Sequence, residues 1–190
     1  MSCADFNEKY PELFGKIFWK WGPITAQFSL TTQAPPPSQI SNVRIVPFVG
    51  DQVVVIDKSE LGNWDHPVGT LEPGENWQNA LHREAMEEAG ARVDNFEVFG
   101  RLSCASHNPQ PFRSHLPYPE FDQVVVWADV ELSAQNEPPT TESHEHIEWS
   151  KSCNFKKRFH DLAVEPMDHG KQKCMRLLLS CEVGVSSPSH

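Results

Sequence analysis

The helix predicted for residues 76–89 is the feature that most limits what this chain can fold into. Asn76 is a suitable N-cap, the interior carries neither glycine nor proline, and Gly90 is placed to end the helix. At about 100° per residue the apolar side chains form one stripe that must pack against other elements. This stripe contains Leu81, Ala85 and Ala89.

Three carboxylates, Glu84, Glu87 and Glu88, share one arc of this helix, and the arc touches the apolar stripe. The acids are therefore expected at the edge of the protein body, where their repulsion would raise their pKa values and weaken the helix. A divalent cation would reverse that repulsion, and hard cations such as Mg²⁺ or Mn²⁺ prefer carboxylate oxygens. Taken alone, the run is also typical of a solvated acidic helix face, so the residues upstream decide between the two interpretations.

The rest of the chain predicts a mixed sheet flanked by helices, because β-prone segments alternate with a few helical ones. Strands are predicted at 24–33, 42–50, 51–58, 95–104, 122–132 and 145–150. Helices are predicted within 11–22, 153–164 and 171–181, and residues 61–75 are predicted to be a loop. We expect an N-terminal extension over residues 1–40, one domain over 41–182 and a polar tail over 183–190.

Composition excludes several classes of protein. The 190 residues are 38% hydrophobic and 22% charged, and no apolar run approaches the ~20 residues of a membrane helix. The first residues lack a basic region followed by an apolar one, so we expect a cytoplasmic protein. Its five scattered cysteines indicate reduced thiols. A net charge of −10 argues against an extended nucleic-acid surface, which needs clustered Lys and Arg.

The spacing around the helix resembles the Nudix box, the signature of Nudix hydrolases. That signature is Gly, five residues, Glu, seven residues, Arg-Glu, an apolar residue, any residue, Glu-Glu, any residue, Gly and an apolar residue. Every charged and glycine position is filled, by Gly69, Glu75, Arg83, Glu84, Glu87, Glu88 and Gly90. The apolar positions hold the small residues Ala85 and Ala91. The resemblance implies an α/β/α sandwich with a mixed β-sheet.

The resemblance also implies a metal site. Its ligands would be Glu84, Glu87 and Glu88, with the carbonyl oxygen of Gly69 on a loop that passes the helix. Its cofactor would be Mg²⁺ or Mn²⁺, and its reaction the hydrolysis of a diphosphate linkage in a nucleoside diphosphate joined to another group X. The expected partner is therefore a small nucleotide, and metal cations would let an acidic protein bind it.

Two further roles follow from the resemblance. Glu75 and Arg83 would form an ion pair that orients the metal ligands. The general base is left open between Glu84 and a residue on a distal loop. The candidates on that loop are Glu142, His144 and Glu145.

Specificity is expected from residues 105–121, an irregular segment between two predicted strands. The candidates for phosphate contacts are Arg113, His107 and His115. The candidates for stacking on a base are Phe112, Tyr118 and Trp64. The aromatic N-terminal residues are expected to pack on their own domain, although a homodimer arm is an alternative. These residues are Phe14, Phe18, Trp19 and Trp21.

Two rival functions keep the same fold. The first is a catalytically silent module that binds or senses nucleotides, which would have no need of the complete set of box carboxylates. The second is an isomerase of the isopentenyl diphosphate type, which would use a catalytic cysteine, and Cys104 is the candidate near a strand end.

Overall fold

The structure is a computed structural model that describes residues 11–50, 52–58, 63–133 and 146–150. In chain order its elements are α1 (Pro11–Phe14), β1 (Lys16–Trp19), β2 (Ile24–Leu30), a 3₁₀ turn (Pro37–Gln39), β3 (Ile40–Val49), β4 (Gln52–Lys58), β5 (Asn63–Asp65), β6 (Val68–Thr70), α2 (Trp77–Ala89), β7 (Ala91–Ser106), β8 (Glu120–Leu132) and β9 (His146–Ser150).

The nine strands in the described part of the chain form a single mixed sheet in the order β1-β2-β7-β8-β3-β4-β5. β6 also pairs with β3, and β9 with β4. The β3–β8 pair is parallel, whereas the other pairs are antiparallel. The predicted α/β class with a mixed sheet is confirmed.

Strand β3 is covered on both faces, since eight of its ten residues are buried. Val46 and Phe48 face a cluster that includes the aromatics of β2 and β7. Val43 and Ile45 face the opposite cluster, in which the apolar stripe of α2 is buried. Removing these side chains from water holds α2 on the sheet, so the sheet fixes where the acidic arc of the helix lies.

The N-terminal aromatic segment differs from the helix predicted within 11–22. It forms one helical turn, Pro11–Phe14, and then strand β1, which pairs with β2. The strand is favoured because Gly15 weakens a helix and the last three residues of β1, Ile17, Phe18 and Trp19, are β-branched or aromatic. β1 and β2 continue the sheet of the rest of the chain, although they lie within the predicted N-terminal extension.

The four N-terminal aromatics contact their own domain, as expected, but they are buried to different extents. Phe14 and Trp19 are buried, whereas Phe18 and Trp21 are 56% and 58% exposed. The loop predicted for 61–75 also contains two three-residue strands, β5 and β6. Strands this short leave little alternation in a sequence, and pairing with β4 and β3 creates them.

Some predictions lie outside the described residues, namely the helices within 153–164 and 171–181 and the polar tail. Of the helices that the structure describes, none has the length and apolar character needed to cross a membrane.

Candidate active site

Helix α2 begins and ends at the predicted residues. The side chain of Asn76 accepts a hydrogen bond from the Asn79 N–H at 2.8 Å, which caps the first turn. Gly90 adopts the left-handed conformation at φ 56° and donates to the Met86 carbonyl. The Gly90 carbonyl in turn accepts from both the N–H and the hydroxyl of Ser133. The caps fix the helix at both ends.

Strand β6 lies directly against α2, and the closest approach is between Gly69 and Glu84. A β-carbon at position 69 would lie 1.9 Å from Glu84 Cγ and 2.6 Å from Glu84 Oε1. Only glycine fits this contact, because any other residue would displace the carboxylate. Gly69 thus lies in a strand and not on the loop that we expected, although it does pass the helix.

Arg83 is the centre of the charged cluster. Its Nε and Nη2 donate to the two carboxylate oxygens of Glu75 at 3.0 and 2.8 Å, which is the predicted ion pair in bidentate form. Its Nη1 donates to Glu84 at 2.7 Å and to Glu87 at 3.1 Å. Its Nη2 also donates to the Thr70 carbonyl at 3.1 Å. One guanidinium therefore joins three carboxylates to β6.

The third carboxylate of the arc, Glu88, reaches β6 by another route. Glu88 Oε2 accepts from the Val68 N–H at 2.8 Å. The three residues of β6 thus each contact a different charged residue of α2: Val68 meets Glu88, Gly69 meets Glu84, and Thr70 meets Arg83. Glu87 is the most open of the acids, with its side chain 54% exposed.

The environment shifts the pKa values of the cluster in opposite directions. The hydrogen bonds from Arg83 hold the pKa of Glu75 below its ordinary value, because they favour the ionised carboxylate. Burial raises the pKa of Glu84, against the partly compensating hydrogen bond from Arg83. The Arg83 pKa is raised above its ordinary value, chiefly by the hydrogen bond with Glu75. Of the two carboxyls Glu75 and Glu84, Glu84 therefore has the greater affinity for a proton.

The donor set fits a divalent cation by its chemistry. Carboxylates at positions i, i+3 and i+4 are neighbours on a helix surface, and their oxygens are ligands that Mg²⁺ accepts. The bare Gly69 backbone lets Glu84 lie flat against β6. In the described ranges no three His, Cys, Asp or Glu side chains are gathered as a metal site. There, Glu84 and Glu87 bond to Arg83 and Glu88 bonds to β6.

The residues predicted for substrate contact divide into two groups. Phe112 and Tyr118 line a common cavity. His107 instead bonds Thr25 Oγ1 at 2.7 Å, and His115 Nε2 donates to the Leu71 carbonyl at 2.9 Å, so both histidines hold the segment in place. The Arg113 guanidinium lies 5.8 Å from the Phe112 ring centre.

Other candidates lie outside the described part of the chain. They are Glu142, His144, Glu145 and the side chain of Trp64.

Cys104 does not suit the isomerase alternative. Its side chain is buried, and burial raises the pKa of its thiol to about 12. A nucleophilic or acid–base cysteine needs an accessible thiol with a lower pKa. The structure therefore argues against the isomerase alternative.

Val68 and Thr70 are contact residues that the sequence interpretation missed. Each acts through a backbone atom, so its side-chain identity carries no signal for the contact. The sequence signal that could have identified them is their position on either side of Gly69.

Comparison with known proteins gives a consistent result. The family model described as NUDIX domain matches residues 39–178 of this chain. An RNA pyrophosphohydrolase of Erythrobacter litoralis is 32% identical over 107 residues, a match that covers 46% of this chain and 60% of that protein. The chain thus spans less than two thirds of this relative.

Among solved structures, the pyrophosphohydrolase BsRppH of Bacillus subtilis superposes with a TM-score of 0.54. The superposition covers 90% of this chain and 99% of that one, at 18% sequence identity. At this level of identity the likeness concerns the fold.

Proposed function

The chain belongs to the NUDIX domain family, and on that premise we propose that it hydrolyses a diphosphate linkage in a nucleoside diphosphate joined to another group X, with Mg²⁺ or Mn²⁺ as cofactor. The arrangement around β6 carries the proposal. Three successive residues of this strand meet Glu88, Glu84 and Arg83. The charged residues of the motif are thus held at one place by contacts that a solvated acidic helix would not need.

The proposed ligands of the cation are Glu84, Glu87, Glu88 and the Gly69 carbonyl oxygen. When bound, a divalent cation neutralises phosphate oxygens and lowers the pKa of a water molecule. Glu75 and Arg83 are positioning residues in this scheme, because the bidentate pair holds Arg83 where it contacts Glu84 and Glu87.

The reaction breaks one phosphorus–oxygen bond and forms another. The oxygen of water attacks phosphorus in line, the bond to the bridging oxygen breaks, and the leaving phosphate keeps the electron pair. The water proton passes to a carboxylate. Glu84 is one candidate for that role, in place of metal binding. The candidates on the distal loop, Glu142, His144 and Glu145, lie outside the described residues.

The group X is open. The relative from Erythrobacter litoralis is named an RNA pyrophosphohydrolase, so an RNA 5′ end belongs among the candidates for this chain. The net charge of −10 favours a substrate held at its terminal nucleotide over one that contacts an extended surface. The cytoplasmic location and the homodimer remain predictions.

The test is product release from a panel of substrates, with and without Mg²⁺ or Mn²⁺. The panel contains ADP-ribose, NADH, dinucleoside polyphosphates, nucleotide sugars, coenzyme A, nucleoside triphosphates and RNA with a 5′-triphosphate. We expect turnover of at least one compound, its loss on adding EDTA and its recovery on adding excess Mg²⁺. If the folded protein releases no product from any compound of the panel, the proposal is overturned and the nucleotide-binding module is favoured.

A further inference from the structure

A cavity of about 150 Å³ lies beside β6, between Trp21, residues 107–119 and the start of β3. We propose that it is the subsite for the base of the nucleotide substrate, an inference that rests on the proposed function for the identity of the ligand. Cavities for whole drug-sized ligands span roughly 300–1,000 Å³. The smaller volume suits one planar ring system, with the sugar and phosphates outside it.

The walls of the cavity are aromatic side chains that the fold leaves exposed. Phe112 is 86% exposed, Trp21 58% and Tyr118 39%, and all three line the cavity. Phe112 and Trp21 contribute little to the core, because more than half of each side chain stays in water. Aromatic side chains that converge on one space are what a base requires for stacking, which is tolerant of base identity.

The floor of the cavity is polar and supplies hydrogen-bond donors. Gln123 is only 5% exposed and lines the cavity. Its carbonyl oxygen accepts from Arg44 Nε at 2.5 Å, so its amide N–H groups are the part left to donate. The Thr70 hydroxyl oxygen accepts from Asn42 Nδ2 at 2.8 Å and keeps its own hydrogen for donation. The carbonyl oxygens and ring nitrogens of a base are matching acceptors.

The walls are held before any ligand arrives. Asn108 donates to the Gly22 carbonyl at 2.9 Å and accepts from the Tyr118 hydroxyl at its own carbonyl. His107 N–H donates to the Pro23 carbonyl at 2.8 Å. The Asn108–Gly22 bond joins residues that are 86 positions apart in the chain. A preformed site loses less conformational entropy on binding.

The cavity is also contiguous with the charged cluster through Thr70. The Thr70 side chain lines the cavity, while its carbonyl accepts from Arg83. The preceding residue is Gly69, which contacts Glu84. A base in the cavity would therefore leave its phosphates beside the carboxylates of α2.

The test is calorimetric titration of the full chain with AMP, GMP and UMP, and with ribose 5-phosphate, which has no base. We expect each nucleotide that binds to lose about tenfold in affinity in Phe112→Ala, since base–aromatic stacking is worth that much or more. Phe18→Ala is the control, because Phe18 is also an exposed phenylalanine, at 56%, and does not line the cavity. It should leave the affinity unchanged.

Three results would overturn the subsite. They are equal effects of the Phe112 and Phe18 substitutions, equal affinity for ribose 5-phosphate and the nucleotides, and no nucleotide binding at millimolar concentration. Failure of the subsite and failure of the hydrolase are distinguishable. Nucleotide binding that depends on Phe112, without turnover on the panel, would retain the subsite and remove the enzyme; turnover with a KM unaffected by Phe112→Ala would do the reverse.

Discussion

The Glu84 side chain lies so close to the Gly69 backbone that a β-carbon at position 69 would come within 1.9 Å of Glu84 Cγ. Nothing in the helix alone requires this contact, because Gly69 belongs to a separate strand that pairs with β3. The position of the carboxylate is thus determined by two elements together, and a single methyl group is enough to disturb it.

Gly69→Ala should lower the free energy of unfolding by about 1–3 kcal/mol, the usual range for overpacking, and should reduce turnover by displacing Glu84. In the Glu84→Ala background the same substitution should cost clearly less, since the colliding side chain is gone. Denaturant unfolding of the four proteins in this cycle measures the difference. Equal costs in both backgrounds would contradict the contact.

Glu87→Gln and Glu88→Gln should each reduce turnover at least ~100-fold, because the amide is a poorer ligand for a divalent cation. Folding should be retained or improved as repulsion falls. Steady-state kinetics and Mg²⁺ titration check both effects. Glu97→Gln, on an exposed position of β7, is the control. Near wild-type turnover in either box variant would remove that residue from the proposed ligands.

Arg83→Lys should destabilise the fold by about 1–2 kcal/mol even though it keeps the charge, because lysine cannot reproduce the charged hydrogen bonds of the guanidinium. Arg83 is 23% exposed and joins Glu75 to Thr70 and Glu84. Arg92→Lys should have no measurable effect, because the Arg92 pairs with Asp94 and Glu131 are at the surface. Thermal unfolding distinguishes the two. Comparable stabilities for both variants would rule out the bridging role.

The Glu75 carboxyl should make part of the stability dependent on acid. Its folded pKa lies below the ordinary value of 4.5 because Arg83 stabilises the carboxylate. The resulting stabilisation is present above pH 4.5 and is lost as the pH falls through the folded pKa. Glu75→Gln should therefore flatten the acid dependence of Tm between about pH 3 and 6. A curve parallel to that of the wild type would show that the pair contributes nothing.

The sequence predicted what local chemistry determines. Asn76 and Gly90 fixed the helix limits, and the Val-rich runs fixed β3, β4 and β8, because caps and apolar patterns act within a few residues. The Glu75–Arg83 pair followed from the resemblance to the Nudix box, and the structure contains it.

Contacts made by backbone atoms or by distant segments could not be predicted in this way. Val68 and Thr70 meet the helix through an N–H and a carbonyl that every residue type offers. Trp21 and Phe112 come together because the sheet aligns β2 with the end of β7. The segment after Gly15 forms a strand and not the predicted helix, because it pairs with β2.

The junction at Gly90 has a mechanical consequence. One residue joins α2 to β7, and its carbonyl is tied to Ser133 at the end of β8. Any sliding or rotation of the helix would therefore also displace β7 and β8, the two longest of the described strands. In the proposed site, adjustment to cations of different radius would therefore fall to the side-chain rotamers of α2 and not to the helix backbone.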